Sequence, residues 1–263
     1  MRIAVVTGAS SGLGREFVKL LDADRDKWDQ IWVIARRAER LQELAGTVKT
    51  TLRVLPMDLT EQASFEQLRT LFEEEQPQIG MLINAAGFGK IGRYDEISDE
   101  QTARMIDLNC RAPVMLCQIC LTWMPEGARI MNICSTAGFS PLPYFNVYAA
   151  SKSFLYRYSR ALRVELLQRG ISVTAVCPYW VKDTEFIPTA GEGEGGKGSR
   201  GRSRIRHFPL SSRQRLVARL AMQDTKRRLA VSTPGPVCTL HRFFGKILPD
   251  ELFMSIWALI RRL

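Results

Sequence analysis

Short apolar runs alternate with longer amphipathic segments along the first 180 residues of the chain. The runs are rich in Val, Ile and Leu, and the first, at 3–6, is continuously apolar, which is typical of a strand buried on both faces of a parallel sheet. Six strands are predicted in this way. They cover 3–6, 31–34, 52–55, 80–84, 128–133 and 172–176.

Helical spacing of apolar positions fills the intervals between these strands. The pattern predicts helices at 15–21, 37–46, 60–75, 98–123, 147–169 and 211–220. Strands that alternate with helices of this length form βαβ units, and right-handed crossovers between them give an α/β fold with a doubly wound parallel sheet. A length of 263 residues suits one such unit, so we expect a single domain over 1–263.

The C-terminal part departs from this alternation. The stretch 190–206 is rich in Gly, Glu, Arg and Ser and predicts a flexible lid loop over the substrate. Pro249, Asp250 and Glu251 predict the start of a C-terminal helix over 250–263. This helix is apolar nearly all round, which leaves three interpretations: burial against the body, a subunit interface, or a shallow peripheral membrane contact, which we do not favour.

Composition and charge exclude several classes of protein. Hydrophobic residues make up 46% of the chain and charged residues 24%, which excludes a disordered chain. The net charge of +10 is uneven, since residues 183–263 hold 15 basic and 7 acidic side chains. A nucleic-acid partner is therefore not expected. We favour a solvated lid and helix face for the basic segment 197–228, over a site for an anionic substrate, an acidic carrier protein or an anionic lipid surface.

The six cysteines lie mostly in apolar runs and form no zinc-type spacing. We expect buried free thiols in a reducing cytoplasm and no metal site. The N-terminal apolar run is too short for a secretory signal, and no stretch approaches the ~20 apolar residues that a membrane span needs.

A glycine-rich turn follows the first predicted strand. Gly8, Gly12 and Gly14 allow a tight turn in which the backbone can approach a pyrophosphate at a helix N-terminus. The spacing is G-x-x-x-G-x-G, and with it the chain resembles the classical short-chain dehydrogenase/reductase family over residues 1–184. The resemblance implies a single Rossmann-fold domain, typically with a seven-stranded parallel sheet. It also implies that the turn binds a dinucleotide through Gly8, Ser10, Ser11, Gly12, Leu13 and Gly14.

The end of the second strand indicates which dinucleotide. A protein that binds NAD usually carries Asp or Glu there, whereas this chain has Arg36 and Arg37. Two guanidinium groups can pair with a 2′-phosphate, so NADP(H) is the predicted cofactor. From the resemblance, Asp58 with Leu59 contacts the adenine. The segment Asn84, Ala85, Ala86 and Gly87 packs beside the adenosine ribose.

Tyr148 and Lys152 form a Y-x-x-x-K motif that places both side chains on one helix face. A nearby ammonium lowers the pKa of a phenol, so this pair suits acid–base chemistry and predicts Tyr148 as the acid and base. Lys152 can also hold the nicotinamide ribose. The resemblance adds Ser135 as the residue that binds the substrate carbonyl, and Asn109 as the holder of a water that links the lysine to solvent.

The segment after the sixth strand departs from the family pattern. Tyr179 replaces a glycine, and Asp183 places Thr184 one residue late. Pro178 and Val181 are expected to frame the nicotinamide, and Thr184 to contact the carboxamide or the pyrophosphate. Tyr179 and Trp180 either narrow the substrate mouth or belong to the core.

The predicted activity is NADP(H)-dependent interconversion of an apolar ketone and its secondary alcohol, with steroid-like, 3-oxoacyl and xenobiotic carbonyls all open. The expected wall is apolar and consists of Phe88, Phe139, Pro141, Leu142, Pro143, Tyr144, Trp180 and Phe186. Two alternatives remain: a non-catalytic dinucleotide sensor or scaffold on the same fold, and an epimerase or dehydratase with tightly held NAD. We expect a homodimer or homotetramer.

Overall fold

The computed structural model describes residues 1–24, 27–191 and 210–262. All six predicted strands are present, with bounds within two residues of those expected. They are β1 Arg2–Thr7, β2 Gln30–Ala35, β3 Leu52–Pro56, β4 Gln78–Asn84, β5 Arg129–Ile133 and β6 Ser172–Val176. Three strands of two residues each were too short to leave a sequence pattern. They are β7 Val181–Lys182, β8 Ser212–Arg213 and β9 Val231–Ser232.

The main sheet of the described chain has seven parallel strands in the order β3-β2-β1-β4-β5-β6-β9. The strands β7 and β8 form a separate parallel pair. The chain winds outwards from β1 to β3 and then returns to β4 on the other side of β1. Ligands bind in such sheets at the carboxyl ends of the strands where the winding direction reverses. The doubly wound Rossmann fold is therefore confirmed. In this sheet the winding direction reverses between β1 and β4, so a ligand is expected at the carboxyl ends of these two strands.

Helices fill the predicted intervals, with one interruption, and the helices at Phe186–Gly191 and Pro236–Ile247 were not predicted. The segment 98–123 is divided into three parts: the helix α4 at Asp99–Ile106, a π-helical turn at Asp107–Arg111, and the helix α5 at Ala112–Leu121. Pro113 has no N–H to donate to the carbonyl of Asn109, four residues earlier, which favours this wider turn. The described helices are α1 Gly12–Asp22, α2 Ala38–Ala45, α3 Gln62–Glu75, α4 Asp99–Ile106, α5 Ala112–Leu121, α6 Asn146–Glu165, α7 Phe186–Gly191, α8 Gln214–Lys226, α9 Pro236–Ile247 and α10 Asp250–Arg262.

Two apolar layers enclose the main sheet because successive side chains of a strand point to opposite faces. In β1, Ile3 and Val5 face the layer of α3, α5 and α6, whereas Ala4 and Val6 face the layer of α1, α2 and α8. All four side chains are fully buried. This burial fixes the register of β1. The residues that follow β1 are therefore held at the carboxyl end of the sheet, where a ligand is expected.

The C-terminal helix α10 is attached to the body by one face. Trp257 is buried and Phe253 packs against the same apolar cluster. Leu252, Ile256 and Leu259 remain exposed on the other face. No helix in the described ranges is long and apolar enough to cross a membrane. The predicted lid at 190–206 lies outside the described residues from 192 onwards, and its first two residues end α7.

Candidate active site

A cavity of about 370 Å³ lies at the carboxyl ends of β1, β4, β5 and β6. Nearly all of the sequence-predicted site residues line it. They are Gly8, Ser10, Ser11, Gly12, Leu13, Gly14, Arg36, Arg37, Asp58, Leu59, Ala85, Ala86, Gly87, Ser135, Tyr148, Lys152, Pro178, Val181 and Thr184. The structure therefore brings the glycine turn and the Y-x-x-x-K pair to one cleft.

The glycine turn between β1 and α1 has no room for a side chain at Gly8 or Gly14. A Cβ on Gly14 would lie 2.3 Å from the carbonyl oxygen of Gly8, and Gly8 itself has φ of +68°. The Thr7 hydroxyl accepts bonds from the backbone N–H groups of Ala85 and Ala86, at 3.1 and 3.0 Å, and so holds the ends of β1 and β4 together. The turn thus forms a bare backbone cradle at the N-terminus of α1, which fits a pyrophosphate.

The two predicted arginines have different surroundings. Nη2 of Arg37 donates to the hydroxyls of Ser10 and Ser11, at 3.2 and 3.0 Å, and to a carboxylate oxygen of Glu185 at 2.8 Å. Arg40 also pairs with Glu185. Hydrogen bonds from these two arginines lower the pKa of Glu185 to about 2. Arg36 is more exposed, and its nearest carboxylate is Asp58 at 3.8 Å.

Asp58 lies just past β3, on the floor of the cavity. Burial raises the pKa of its carboxyl group, but hydrogen bonds from Thr60 and the charges of Arg36 and Arg104 outweigh this and keep the pKa below its ordinary value. Nη2 of Arg104, on α4, donates to Asp58 at 2.9 Å. The carboxylate therefore stays ionised and can accept a hydrogen bond from a ligand. Sequence reasoning missed Arg104, because nothing local in α4 indicates a partner 46 residues away.

Ser135, Tyr148 and Lys152 are all buried. Ser135 follows β5, where its hydroxyl accepts from the N–H of Ala137 at 3.1 Å. It also shares a hydrogen bond with the Tyr148 side chain. Nζ of Lys152 donates to the carbonyl of Ile133 at 2.8 Å and lies 5.7 Å from the centre of the Tyr148 ring. The three side chains thus meet between the end of β5 and the first turns of α6.

Burial has opposite effects on the two titratable groups of this trio. It raises the pKa of the Tyr148 phenol well above its ordinary value, and the hydrogen bond with Ser135 offsets this only in part. Burial also lowers the pKa of Lys152. The sequence argument expected the lysine to lower the pKa of the tyrosine. In this structure desolvation is the larger effect, so Tyr148 is a neutral phenol that holds a proton to donate.

Two residues predicted for catalysis or cofactor binding do not line the cavity. Asn84 is buried in the sheet and donates to Oδ1 of Asn132 at 2.8 Å. Asn109, in the π-helical turn, bonds both backbone groups of Phe88 and donates to the Ser151 hydroxyl at 3.0 Å. Asn84 therefore links β4 to β5, Asn109 fixes the backbone at Phe88, and the water predicted at Asn109 stays a prediction.

The segment after β6 accommodates its extra residue with a local change of backbone. Asp183 adopts φ of +65°, a left-handed conformation that turns the chain back by one position. Thr184 consequently still lines the cavity, and its Cγ2 lies 3.6 Å from the point that a Cβ on Gly12 would occupy. Pro178 and Val181 line the same wall.

The half of the cavity beyond Tyr148 is lined by aromatic rings. Phe145 stacks on Tyr148 at 4.3 Å, Trp180 lies 5.7 Å from Phe145, and Phe186 lies 5.3 Å from Tyr148. Of the predicted wall, Phe88, Leu142, Trp180 and Phe186 line the cavity, whereas the lining does not include Phe139, Pro141, Pro143 or Tyr144. Sequence reasoning missed Phe145, Thr189, His241 and Trp257.

Phe145 had a signal in the sequence, because it is an aromatic residue only three positions before Tyr148, directly before α6. His241 and Trp257 had none, since they come from α9 and α10. In the described ranges, no group of three or more His, Cys, Asp or Glu side chains is arranged to hold a metal ion.

Comparison with known proteins agrees with this geometry. The family model described as short chain dehydrogenase matches residues 2–195, and the chain belongs to this family. It is 32% identical over 202 residues to the NADP-dependent 3-hydroxy acid dehydrogenase YdfG of Escherichia coli K12, covering 74% of this chain and 79% of that protein.

Two solved structures extend the likeness to the whole chain. A short-chain dehydrogenase from Sphingobium yanoikuyae in complex with NADPH has a TM-score of 0.78 and 26% identity, covering 100% of this chain and 96% of that one. The bulky-bulky ketone specific alcohol dehydrogenase from Comamonas testosteroni has a TM-score of 0.73 and 25% identity, covering 100% and 95%. The chain is thus an oxidoreductase of the short-chain dehydrogenase family.

Proposed function

We propose that the protein is an NADP(H)-dependent oxidoreductase that interconverts an apolar ketone and its secondary alcohol. One observation carries this proposal. The buried Ser135, Tyr148 and Lys152 lie where a cradle for a dinucleotide meets an aromatic wall within a single cavity.

The cavity has the residues that NADP(H) needs. The glycine turn and the N-terminus of α1 fit the pyrophosphate, Asp58 fits the adenine amino group, and Arg37 with Ser10 and Ser11 fits the 2′-phosphate. Pro178, Val181 and Thr184 would frame the nicotinamide. The NADPH-bound structural neighbour and the NADP-dependent relative support this assignment. When bound, the cofactor donates or accepts the hydride at the reacting carbon.

Each residue of the trio has a separate task in the reduction. The Ser135 hydroxyl donates a hydrogen bond to the substrate carbonyl oxygen and polarises it. Tyr148 supplies the proton that this oxygen takes as the carbonyl becomes an alcohol. Lys152, anchored by the carbonyl of Ile133, orients the ribose and stabilises the negative charge that Tyr148 acquires. In the oxidation the same groups act in reverse order, and Tyr148 must first lose its proton.

The aromatic wall favours an apolar substrate. Apart from Lys152, the described residues that line the cavity beyond Tyr148 include no lysine or arginine, and burial lowers the pKa of His241 to about 4, so its imidazole is uncharged at neutral pH. A carboxylate on the substrate would therefore have no cationic partner there besides Lys152, and would lose its hydration with little compensation. The ketone-specific structural neighbour supports the same class. The 3-hydroxy acid dehydrogenase makes a small hydroxy acid the second candidate.

The alternative of a non-catalytic sensor explains the trio poorly. Burying an ammonium and a phenol side by side costs free energy, as the shifted pKa values of Lys152 and Tyr148 show. Dinucleotide binding alone does not require this cost, because the glycine turn and Arg37 supply the phosphate contacts. A catalytic use of the trio accounts for it.

The test is a panel of carbonyl compounds assayed with NADPH and with NADH. We expect NADPH-dependent reduction of bulky apolar ketones, and loss of that activity in Tyr148→Phe with cofactor binding retained. Binding of NADPH without turnover of any ketone or alcohol, together with unchanged behaviour of Tyr148→Phe, would favour the sensor.

A further inference from the structure

Glu185 occupies the part of the cavity that the proposed function assigns to a phosphate. It lies between β7 and α7, 148 residues along the chain from Arg37. Its carboxylate takes the same Nη2 of Arg37 that the Ser10 and Ser11 hydroxyls contact. Arg40 holds the other carboxylate oxygen. The Glu185 carboxylate thus binds Arg37, at which a phosphate is expected.

Carboxylates and phosphates are alternative partners for a guanidinium group, because both present oxygens that match its planar fork. Arg37 also precedes the first turn of α2, where the helix N-terminus adds attraction for an anion. Two anions on one guanidinium repel each other, so a 2′-phosphate and Glu185 compete for Arg37. The Glu185 side chain is 46% exposed, so surrounding packing does not hold it in place.

Glu185 is also directly connected to the catalytic side of the cavity. The next residue, Phe186, places its ring 5.3 Å from Tyr148 and 6.4 Å from Trp180. The carbonyl of Glu185 accepts from the N–H of Thr189 at 3.1 Å and so begins the first turn of α7. A shift of the Glu185 backbone would therefore carry Phe186 with it and change the aromatic wall at Tyr148.

We propose that Glu185 is an internal substitute for the 2′-phosphate of NADP(H) and sets the discrimination between the two nicotinamide cofactors. The arriving 2′-phosphate takes Arg37, Ser10 and Ser11 and displaces Glu185 from Arg37. This displacement repositions Phe186 and the start of α7. A cofactor without the 2′-phosphate leaves the Arg37–Glu185 pair intact. The inference rests on the proposed use of NADP(H).

The first test measures binding to Glu185→Gln, which keeps the shape of the side chain and removes its charge. Glu185 and Arg37 form a partly exposed ion pair, which competes with the 2′-phosphate. Removing the Glu185 charge should therefore tighten binding of NADPH and of adenosine 2′,5′-bisphosphate by about three- to tenfold. Binding of NADH and of adenosine 5′-monophosphate should not change. Glu39→Gln is the matched control, because Glu39 is an exposed acid in the first turn of α2.

Two results would overturn the inference. One is weaker binding of the 2′-phosphate probes to Glu185→Gln, which would make Glu185 part of their site. The other is an equal change in Glu185→Gln and Glu39→Gln, which would reduce the effect to overall charge. If the wild-type protein binds adenosine 2′,5′-bisphosphate no better than adenosine 5′-monophosphate, the cofactor proposal itself fails, which this binding comparison distinguishes from a failure confined to Glu185.

The second test follows amide hydrogen exchange in the segment 184–190. Adenosine 2′,5′-bisphosphate should speed exchange there in the wild-type protein, and adenosine 5′-monophosphate should not. In Glu185→Gln the exchange should already be fast without a ligand. If both probes slow the exchange by the same factor, a displacement of Glu185 that depends on the 2′-phosphate is contradicted.

Discussion

The two halves of the cavity are held in place by different kinds of interaction. The cofactor half lies within a few residues of the ends of buried strands, and backbone bonds fix it, such as those from Ala85 and Ala86 to Thr7. The substrate half, which is the part of the cavity beyond Tyr148, comes from α7, α9 and α10 and from the loop residues Phe145 and Trp180. These elements attach through ring contacts and single bonds, such as the one from Trp257 Nε1 to the carbonyl of Pro143 at 3.0 Å.

This difference separates two requirements of the proposed reaction. The sheet fixes where the dinucleotide cradle lies, and we expect changes in α9 and α10 to leave that cradle unaltered. The substrate half can therefore differ in shape while the cofactor half stays the same. Ser135, Tyr148 and Lys152 lie on the sheet side of the border, anchored at β5 and α6.

The largest expected effect is that of Tyr148→Phe, which removes the proton donor at the border between the halves. Turnover should fall by about 10²–10⁴-fold, the usual contribution of a positioned acid or base. The aromatic contact with Phe145 is retained, so folding and NADPH binding should persist. Steady-state kinetics and cofactor titration check this, and turnover within threefold of the wild-type value would remove Tyr148 from its role.

The next effect is a pH dependence that differs between the two directions. Because burial raises the pKa of Tyr148, the phenol is protonated throughout the neutral range. Reduction needs this proton and should be nearly flat between pH 6 and 8. Oxidation needs the deprotonated form and should rise about tenfold per pH unit over the same range. Initial rates in both directions test this, and parallel profiles would contradict it.

A substitution of Arg37 tests the cofactor half of the cavity. Arg37→Ala should weaken NADPH binding by about 10–100-fold, because one charge-assisted contact contributes about 1.5–3 kcal/mol. NADH binding should be nearly unaffected. Arg36→Ala, in which a more exposed guanidinium is lost, should have a smaller effect. Fluorescence titration of each of the two variants with NADPH and with NADH measures these affinities. A larger loss of NADPH affinity with Arg36→Ala than with Arg37→Ala would show that Arg36 is the main partner of the 2′-phosphate.

The smallest effect is expected in the substrate half. Trp257→Phe keeps an aromatic ring but loses the hydrogen bond to Pro143, so the free energy of unfolding should fall by about 1 kcal/mol. KM for a bulky ketone should rise while the Kd for NADPH is unchanged.

Trp28→Phe is the control for that variant. Trp28 is also buried, and its indole N–H has no hydrogen-bond partner among the described residues. It lies against Arg2 at the start of β1, away from the cavity lining. This control should leave both KM and Kd unchanged. A change in NADPH affinity with Trp257→Phe would show that the two halves are not separable.

The same difference explains how much of the molecule could be predicted from the sequence. Buried strands and glycine turns have local patterns, so the sheet could be predicted, and the predicted residues Gly8, Arg37 and Tyr148 line one cavity. His241 and Trp257 depend on how α9 and α10 pack from a distance, which no local spacing indicates. Asn84 matched a family motif in sequence, but in the structure its amide bonds Asn132 within the sheet.

The most direct test of the central claim is a comparison of kcat/KM for NADPH-dependent reduction across ketones of increasing apolar size and matched 3-oxo acids. An apolar wall without a lysine, an arginine or a charged histidine predicts that kcat/KM rises with the apolar area of the ketone and is lower for each matched acid. It also predicts at least a tenfold preference for NADPH over NADH, consistent with one lost phosphate contact. Higher kcat/KM for the acids, or equal use of NADH, would contradict the account.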